Sequence, residues 1–291
     1  MAAHNSRVYY PAGFQELFST WNSLKEAEIC AGGTWKMRSQ GSRTPILPEN
    51  IISLDKIAEL AKISRTERYL EIGAMARLSQ IINLGKIVPD ALTRSLENIA
   101  SPQIRSIATI GGNICTSTRK NDASAPLIAL DSHFELRTAQ STRWISASQF
   151  SSLPGPPALA PHELLTRIRV PLDPWTFTRY RKFRSGGSAE SGGGVLFIIR
   201  NQKDILTSIR VVYSGKIILR DKNSETMLAG KHLPLGRRET KAFVDSWKAY
   251  LSMYDGNEAS VFPEEAGNSS PELMKNQLLN FIEATLMRLS E

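Results

Sequence analysis

The chain has 291 residues, 41% of them hydrophobic and 22% charged, with a formal charge of +8; this balance excludes disorder and fibrous architecture. At roughly 150 residues per domain the length predicts two domains with real cores. Lys and Arg are spread along the sequence without a basic block or interleaved aromatics. The charge therefore reads as a surface for anionic cofactors or acidic partner subunits, not as a nucleic-acid footprint.

Two cysteines, Cys30 and Cys115, and four scattered histidines, His4, His133, His162 and His232, offer no CxxC, zinc or iron–sulfur spacing and no visible triad. Any redox centre must be organic. The N-terminus lacks an apolar signal core, and no run approaches the roughly 18 apolar residues of a membrane span. A cytoplasmic protein is the expectation, and the Asn268-Ser269-Ser270 triplet reads as a chance match to a glycosylation acceptor.

In chain order, Phe14, Leu17, Phe18, Trp21 and Leu24 predict a helix, and Ala27 to Cys30 a short strand stopped by Gly32-Gly33. Ile51, Ile52 and Leu54 predict a strand, Ile57 and Leu60 a helical turn, and Tyr69 to Gly73 another strand. Leu78, Ile81 and Ile82, then Leu92, Leu96 and Ile99, are spaced for two helices. After a Gly-, Thr- and Ser-rich stretch from Ile104 to Ala129, strands of an antiparallel sheet are expected at Phe134 to Leu136, Trp144-Ile145 and Ile168 to Val170. Tyr180 to Phe183 reads as a further strand. Gly186-Gly187 and Gly192-Gly193-Gly194 flank a polar loop, and Val195 to Arg200 with Ile209 to Val212 suggest a hairpin or meander. Asp255 to Ser270 is the linker candidate. A last helix follows, with Ser270 as N-cap, Pro271 at its first position and Leu278, Ile282, Leu286 and Leu289 on one face.

Two glycine pairs carry the chemistry: Ala31-Gly32-Gly33-Thr34 and Thr109-Ile110-Gly111-Gly112-Asn113, the second followed by Thr116 and Asp122. Without side chains in the way, consecutive N–H groups can converge on a pyrophosphate. Hydroxyl and amide groups of Thr34, Thr109, Asn113 and Thr116 can add hydrogen bonds, and Asp122 can accept from a sugar or ribityl hydroxyl. Neither pair is a GxGxxG or P-loop pattern. A Gly-Gly turn is also the ordinary way to join two elements, so the residues alone support a two-loop anion or nucleotide site and nothing narrower.

The ordered set Ala31-Gly-Gly-Thr34, Leu70-Glu-Ile-Gly-Ala74, Ser101-Pro-Gln-Ile-Arg105, Ala108-Thr-Ile-Gly-Gly-Asn-Ile114, Asp122, Pro126 to Asp131 and Glu163 to Pro171 resembles the FAD-binding medium subunit of molybdenum hydroxylases of the xanthine and carbon monoxide dehydrogenase type. The resemblance covers roughly residues 8 to 185. It implies an α+β, two-lobed FAD-binding domain of the PCMH/VAO type over 1–175, with subdomains of about 1–55 and 56–175. A small antiparallel sheet-and-helix domain would follow over 176–291.

It further implies noncovalent FAD, with Ala31, Gly32, Gly33 and Thr34 around the pyrophosphate and Thr109, Gly111, Gly112, Asn113 and Thr116 as a second phosphate and ribityl contact. Asp122 would meet a polar group of the FAD chain, Leu165 the adenine or flavin wall, and Lys182 the isoalloxazine. A cation there would stabilise negative charge on the reduced ring; the bland alternative for Lys182 is a solvated strand lysine. No catalytic residue and no metal ligand is implied in this chain. Electrons would arrive from the [2Fe–2S] clusters of one partner subunit, be drawn from substrate by a molybdopterin-containing large subunit, and leave to an external acceptor from a heterotrimer.

Several residues depart from the family pattern. Trp35 follows the first loop, Ser106 follows Ile104-Arg105, Arg119 and Lys120 precede Asp122, and Arg184 to Gly194 replaces an arginine-rich stretch with Asp-Ile-Ala. The last change bears on nicotinamide binding more than on FAD. Cys115 reads as a small filler. Two other functions stay open: a free-standing flavoenzyme resembling the enolpyruvyl-reducing enzyme of cell-wall synthesis, and a flavin-poor assembly subunit that kept the fold.

Overall fold

β1 (Arg7–Tyr9), α1 (Phe14–Ser23), β2 (Ala27–Cys30), α2 (Thr34–Ser39) and β3 (Asn50–Ser53) open the computed structural model, which describes residues 6–40, 46–116, 121–151, 156–184, 191–254 and 271–289. The three strands make a parallel sheet in the order β1-β3-β2, with Val8 opposite Ile51 and Ile29 opposite Ile52. Helix α1 buries the expected stripe, Leu17 and Phe18, on Ile52, Leu54, Ile57 and Leu60. β1 was not expected: it is three residues long and largely exposed, so it carries no hydrophobic period.

The central layer runs β4 (Ile63–Arg65), β5 (Tyr69–Gly73), α3 (Leu78–Asn83), α4 (Asp90–Glu97), α5 (Pro102–Arg105), α6 (Ile110–Ile114), α7 (Ser124–Ala129), β6 (His133–Arg137), β7 (Thr142–Ser146), α8 (Ala147–Phe150) and β8 (Leu164–Pro171). Its sheet is antiparallel in the order β4-β5-β8-β6-β7. The expected strands are present, Tyr69 to Gly73 with the same bounds and the other three longer, and β4 was not expected. Every residue of α7 is buried, as a helix with core on all sides must be. Gly73 is forced by close approach, because a Cβ there would stand 2.1 Å from the Leu60 carbonyl oxygen.

β9 (Phe177–Arg184), β10 (Ser191–Gln202), β11 (Ile205–Ser214) and β12 (Ile218–Leu219) follow, then α9 (Lys222–Met227), α10 (Arg237–Ser252) and α11 (Pro271–Met287). The sheet order is β12-β11-β10-β9. Leu196, Ile198 and Val212 join the central core on one face, while Val195, Phe197, Ile199 and Val211 meet α10 and α11 on the other. A strand buried on both faces explains the unbroken apolar run from Val195 to Ile199.

Gly192 to Gly194, expected to flank a polar loop, lie within β10. α10 went unpredicted, although Thr240, Phe243, Trp247 and Leu251 repeat at helical spacing and are its buried residues. The linker candidate 255–270, including Ser270 and the Asn268 triplet, lies outside the described residues, as do Arg119, Lys120 and the Gly186-Gly187 pair. Among the described residues, no helix is long and apolar enough to cross a membrane.

Candidate functional site

The first glycine pair follows β2 and turns directly into a helix. Gly33 adopts φ +68, the left-handed region where an L side chain is strained, and caps α2. The first turn of α2 closes with the Met37 N–H donating to the Gly33 carbonyl at 3.1 Å. The N–H groups of Thr34, Trp35 and Lys36 therefore have no acceptor within the helix and point out of its N-terminal end.

The second pair is also helical. Thr109 caps α6, its Oγ1 accepting from the Gly112 N–H at 3.1 Å. The Ile110 N–H donates to the Ala76 carbonyl at 3.0 Å, Gly111 to Ala74 at 2.9 Å and Asn113 to Thr109 at 3.0 Å. The N–H groups of Ile110 to Asn113 are thus engaged within the protein. What the second loop offers is side-chain chemistry: among the described residues, Asn113 Oδ1 is buried without a hydrogen-bond partner.

Far apart in sequence, the two loops touch. A Cβ on Gly32 would lie 2.4 Å from the Ile107 carbonyl oxygen, and one on Gly112 would lie 3.6 Å from Ala31 Cβ. A Cβ on Gly111 would meet the Ala74 oxygen at 2.7 Å. Gly32 and Gly111 are therefore glycines because backbone meets backbone, while Gly33 is glycine for its conformation. The reading that all of them clear space for a ligand is narrowed accordingly.

Asp122 is 6% exposed and gathers the end of the second loop. Its Oδ2 pairs with Lys182 Nζ at 3.0 Å and its Oδ1 accepts from the Tyr180 hydroxyl at 2.8 Å. Lys182 donates as well to the Asn98 carbonyl at 3.0 Å, just past the C-terminus of α4. There Arg105 Nη1 also reaches the carbonyls of Glu97, Ile99 and Ala100 at 3.0, 2.9 and 2.9 Å. Two cations at a helix C-terminus are favoured by its dipole.

Lys182 is thus a half-buried ion-pair partner and not a solvated lysine. Tyr180 was missed in the sequence. Thr116 staples the loop to itself, its Oγ1 donating to the carbonyls of Gly112 and Asn113 at 3.2 Å and accepting from Asn121 Nδ2 at 2.8 Å. Leu165 is 2% exposed, opposite Leu136 in the core, covered by protein and not presented to an open wall.

Burial pushes the Cys115 thiol up to about 12, and burial with the nearby Asp55 carboxylate raises Cys30. Both shifts favour the neutral thiol, the less nucleophilic form. Trp35 is half-buried with the Arg38 guanidinium 5.9 Å from its ring centroid, and Lys36 pairs with Glu28.

These groups fit a dinucleotide with a polyhydroxyl chain. The first-turn N–H groups of Thr34 to Lys36, beside a left-handed glycine, suit a diphosphate. The unpartnered Asn113 Oδ1 suits a hydroxyl that donates, and the contact between the loops places these features side by side.

Comparison with known proteins agrees. Residues 4–173 match the family described as the FAD binding domain in molybdopterin dehydrogenase. Over 155 residues the chain is 29% identical to the xanthine dehydrogenase FAD-binding subunit of Escherichia coli O157:H7, covering 51% of this chain and 52% of that one. The chain thus spans about half the length of that relative. It is 28% identical over 214 residues to the carbon monoxide dehydrogenase medium chain of Hydrogenophaga pseudoflava, covering 71% of this chain and 73% of that one. In three dimensions it is similar to a chain of reconstituted CO dehydrogenase from Oligotropha carboxidovorans, with a TM-score of 0.82 at 21% identity, covering 100% and 99%. That likeness shows the fold. Both glycine loops and Asp122 lie inside the matched span, and the chain belongs to the family of FAD binding domains of molybdopterin dehydrogenases.

Proposed function

We propose that this chain is the FAD-binding electron-transfer subunit of a cytoplasmic molybdenum hydroxylase built as a heterotrimer. It takes electrons from the [2Fe–2S] clusters of one partner, drawn from a substrate oxidised on the molybdopterin-containing large subunit, and passes them to an external acceptor. The contact between the two glycine loops carries the reading, since it makes one polar site from two segments. The names of the relatives, a xanthine dehydrogenase FAD-binding subunit and a carbon monoxide dehydrogenase medium chain, support it. With two cysteines, these 291 residues hold too few thiolates for a [2Fe–2S] cluster, so that centre lies outside them.

In this reading Ala31, Gly32, Gly33 and Thr34 hold the pyrophosphate, the N–H groups of α2 balancing its charge. Thr109, Gly111, Gly112, Asn113 and Thr116 shape the second wall, with the Asn113 side chain accepting from a hydroxyl of the cofactor. Asp122 and Lys182 form the polar end, with Leu165 in the layer behind. When bound, FAD supplies a carrier that stores two electrons and can take them up singly. The protein's part is to bind, orient and screen it. The test is to purify the chain with its partners, identify subunits and metals, add the substrate of the large subunit without oxygen, and then offer NAD, oxygen or a quinone. The flavin absorbance should bleach with substrate and return with one acceptor; a chain that elutes alone and oxidises substrate by itself overturns the reading.

A further inference from the structure

We infer that Tyr180 is a positioning residue of the flavin site: seated over Gly194, its hydroxyl holds the Asp122 carboxylate against Lys182 and so fixes the end of the second glycine loop. The inference rests on the proposed placing of the flavin against residues 109–116 and Asp122.

Alternation along β9 sends Tyr180 and Lys182 to the central layer, while Phe183 joins the core on the opposite face. Asp122 receives both. Its two oxygens accept from the Tyr180 hydroxyl at 2.8 Å and the Lys182 ammonium at 3.0 Å, and its main-chain carbonyl accepts from Ser95 Oγ at 2.6 Å. Helix α4, strand β9 and the glycine loop therefore meet at one residue. With side-chain exposures of 7% for Asp122 and 16% for Lys182, the pair has little water to replace a lost partner. Removing the tyrosine hydroxyl leaves one carboxylate oxygen without its donor.

The glycines of β10 explain how the tyrosine fits. A Cβ on Gly194 would stand 2.2 Å from the Tyr180 hydroxyl and 2.9 Å from its Cζ, so the phenol lies where a side chain would otherwise be. Glycine inside a strand commonly marks such a close approach. On the other face, Tyr213 is seated in the same way, its hydroxyl 2.5 Å from where Cβ atoms of Gly193 and Gly215 would stand. Tyr213 packs in the core with α10 and α11, a different cluster from the one Tyr180 packs against, which makes it the matched control.

The test uses the assembled complex carrying Tyr180→Phe, Gly194→Ala or Tyr213→Phe, and reads FAD affinity, flavin midpoint potential and unfolding temperature. Tyr180→Phe should weaken FAD binding about tenfold, as expected for a lost hydrogen bond to a charged group, and should shift the potential. Tyr213→Phe should leave both unchanged. Gly194→Ala should reproduce the defect, with the double variant Tyr180→Phe/Gly194→Ala no worse than Gly194→Ala alone, since the two changes act through one contact. Unchanged affinity and potential in Tyr180→Phe, or equal losses in both tyrosine variants, overturn the inference. Asp122→Asn and Gly33→Ala separate it from the placing of the flavin: if these lose FAD while Tyr180→Phe does not, Tyr180 alone is struck out, and if all three keep full FAD the site itself is misplaced.

Discussion

Gly32 and Ile107 pack backbone to backbone, with room for a hydrogen but not a methyl group: a Cβ on Gly32 would stand 2.4 Å from the Ile107 carbonyl oxygen. Gly33, one residue on, has ordinary clearance, 3.7 Å to Cys30 Sγ, and needs glycine only for its φ of +68. Neighbouring glycines thus fail differently. Gly32→Ala should separate the loops, costing about 1–3 kcal/mol of stability and most of the bound FAD. Gly33→Ala should cost about 1–2 kcal/mol from backbone strain, and Gly33→Asn less, since Asn tolerates the left-handed region. Thermal unfolding and flavin content measured on the three variants check the order.

Gly111→Ala places a methyl group 2.7 Å from the Ala74 carbonyl oxygen, at the end of β5. The Gly111 N–H bond to that same oxygen, 2.9 Å long, must stretch to admit it. A drop in unfolding temperature matching that of Gly32→Ala is expected, because both changes push rigid backbone apart. An unchanged melting curve would show that α6 can shift freely.

The Asp122 and Lys182 pair predicts an asymmetry. Lys182→Met leaves the buried Asp122 carboxylate unpaired and should cost about 3–5 kcal/mol, Asp122→Asn leaves the half-buried Lys182 unpaired and should cost less, and the double variant should recover much of the loss. A double-mutant cycle by denaturant unfolding measures the coupling. Additive losses would mean that the pair is not a unit.

What could be read in advance was what repeats locally. The stripe of α1, the strand Tyr69 to Gly73 and the hairpin of β10 and β11 follow from spacing alone. β1 left no trace, because an exposed three-residue strand has no period to detect. α10 did carry one, in Phe243, Trp247 and Leu251. The glycine triplet of β10 was read only as the flank of a loop because glycine marks flexibility and close approach alike, and the tyrosine rings lying on Gly193 and Gly194 separate the two. At the site, the glycine pairs stood out by composition, but the Gly32 to Ile107 contact and the Tyr180 to Asp122 bond join residues far apart in the chain.

Glu163 carries a pH dependence. Its carboxylate accepts from Arg143 Nε at 2.7 Å and Nη2 at 2.8 Å and from the Ala160 N–H at 2.9 Å, and the Arg143 hydrogen bonds, ahead of other influences, hold its pKa below the ordinary value. A carboxylate lowered on folding adds stability above its unfolded pKa, roughly 4.3, and loses it as pH falls through the lower folded value. Glu163→Gln should therefore be less stable than wild type near neutrality, and the difference should shrink in acid. Unfolding temperatures across that range decide, and a constant difference would contradict it.

With the Cys115 thiol raised to about 12 and Cys30 raised as well, neither should react quickly with a maleimide in the folded protein at mildly alkaline pH. Both should label after unfolding. Rapid modification of Cys115 without loss of flavin would show that the second loop opens.

The most direct measurement is the ratio of FAD to this chain in the purified complex, read from flavin absorbance and from released FAD, for wild type and Gly32→Ala. A site shared by two touching loops predicts stoichiometric FAD in the first and little in the second. A colourless wild-type complex, or full FAD in Gly32→Ala with the loops forced apart, would contradict it.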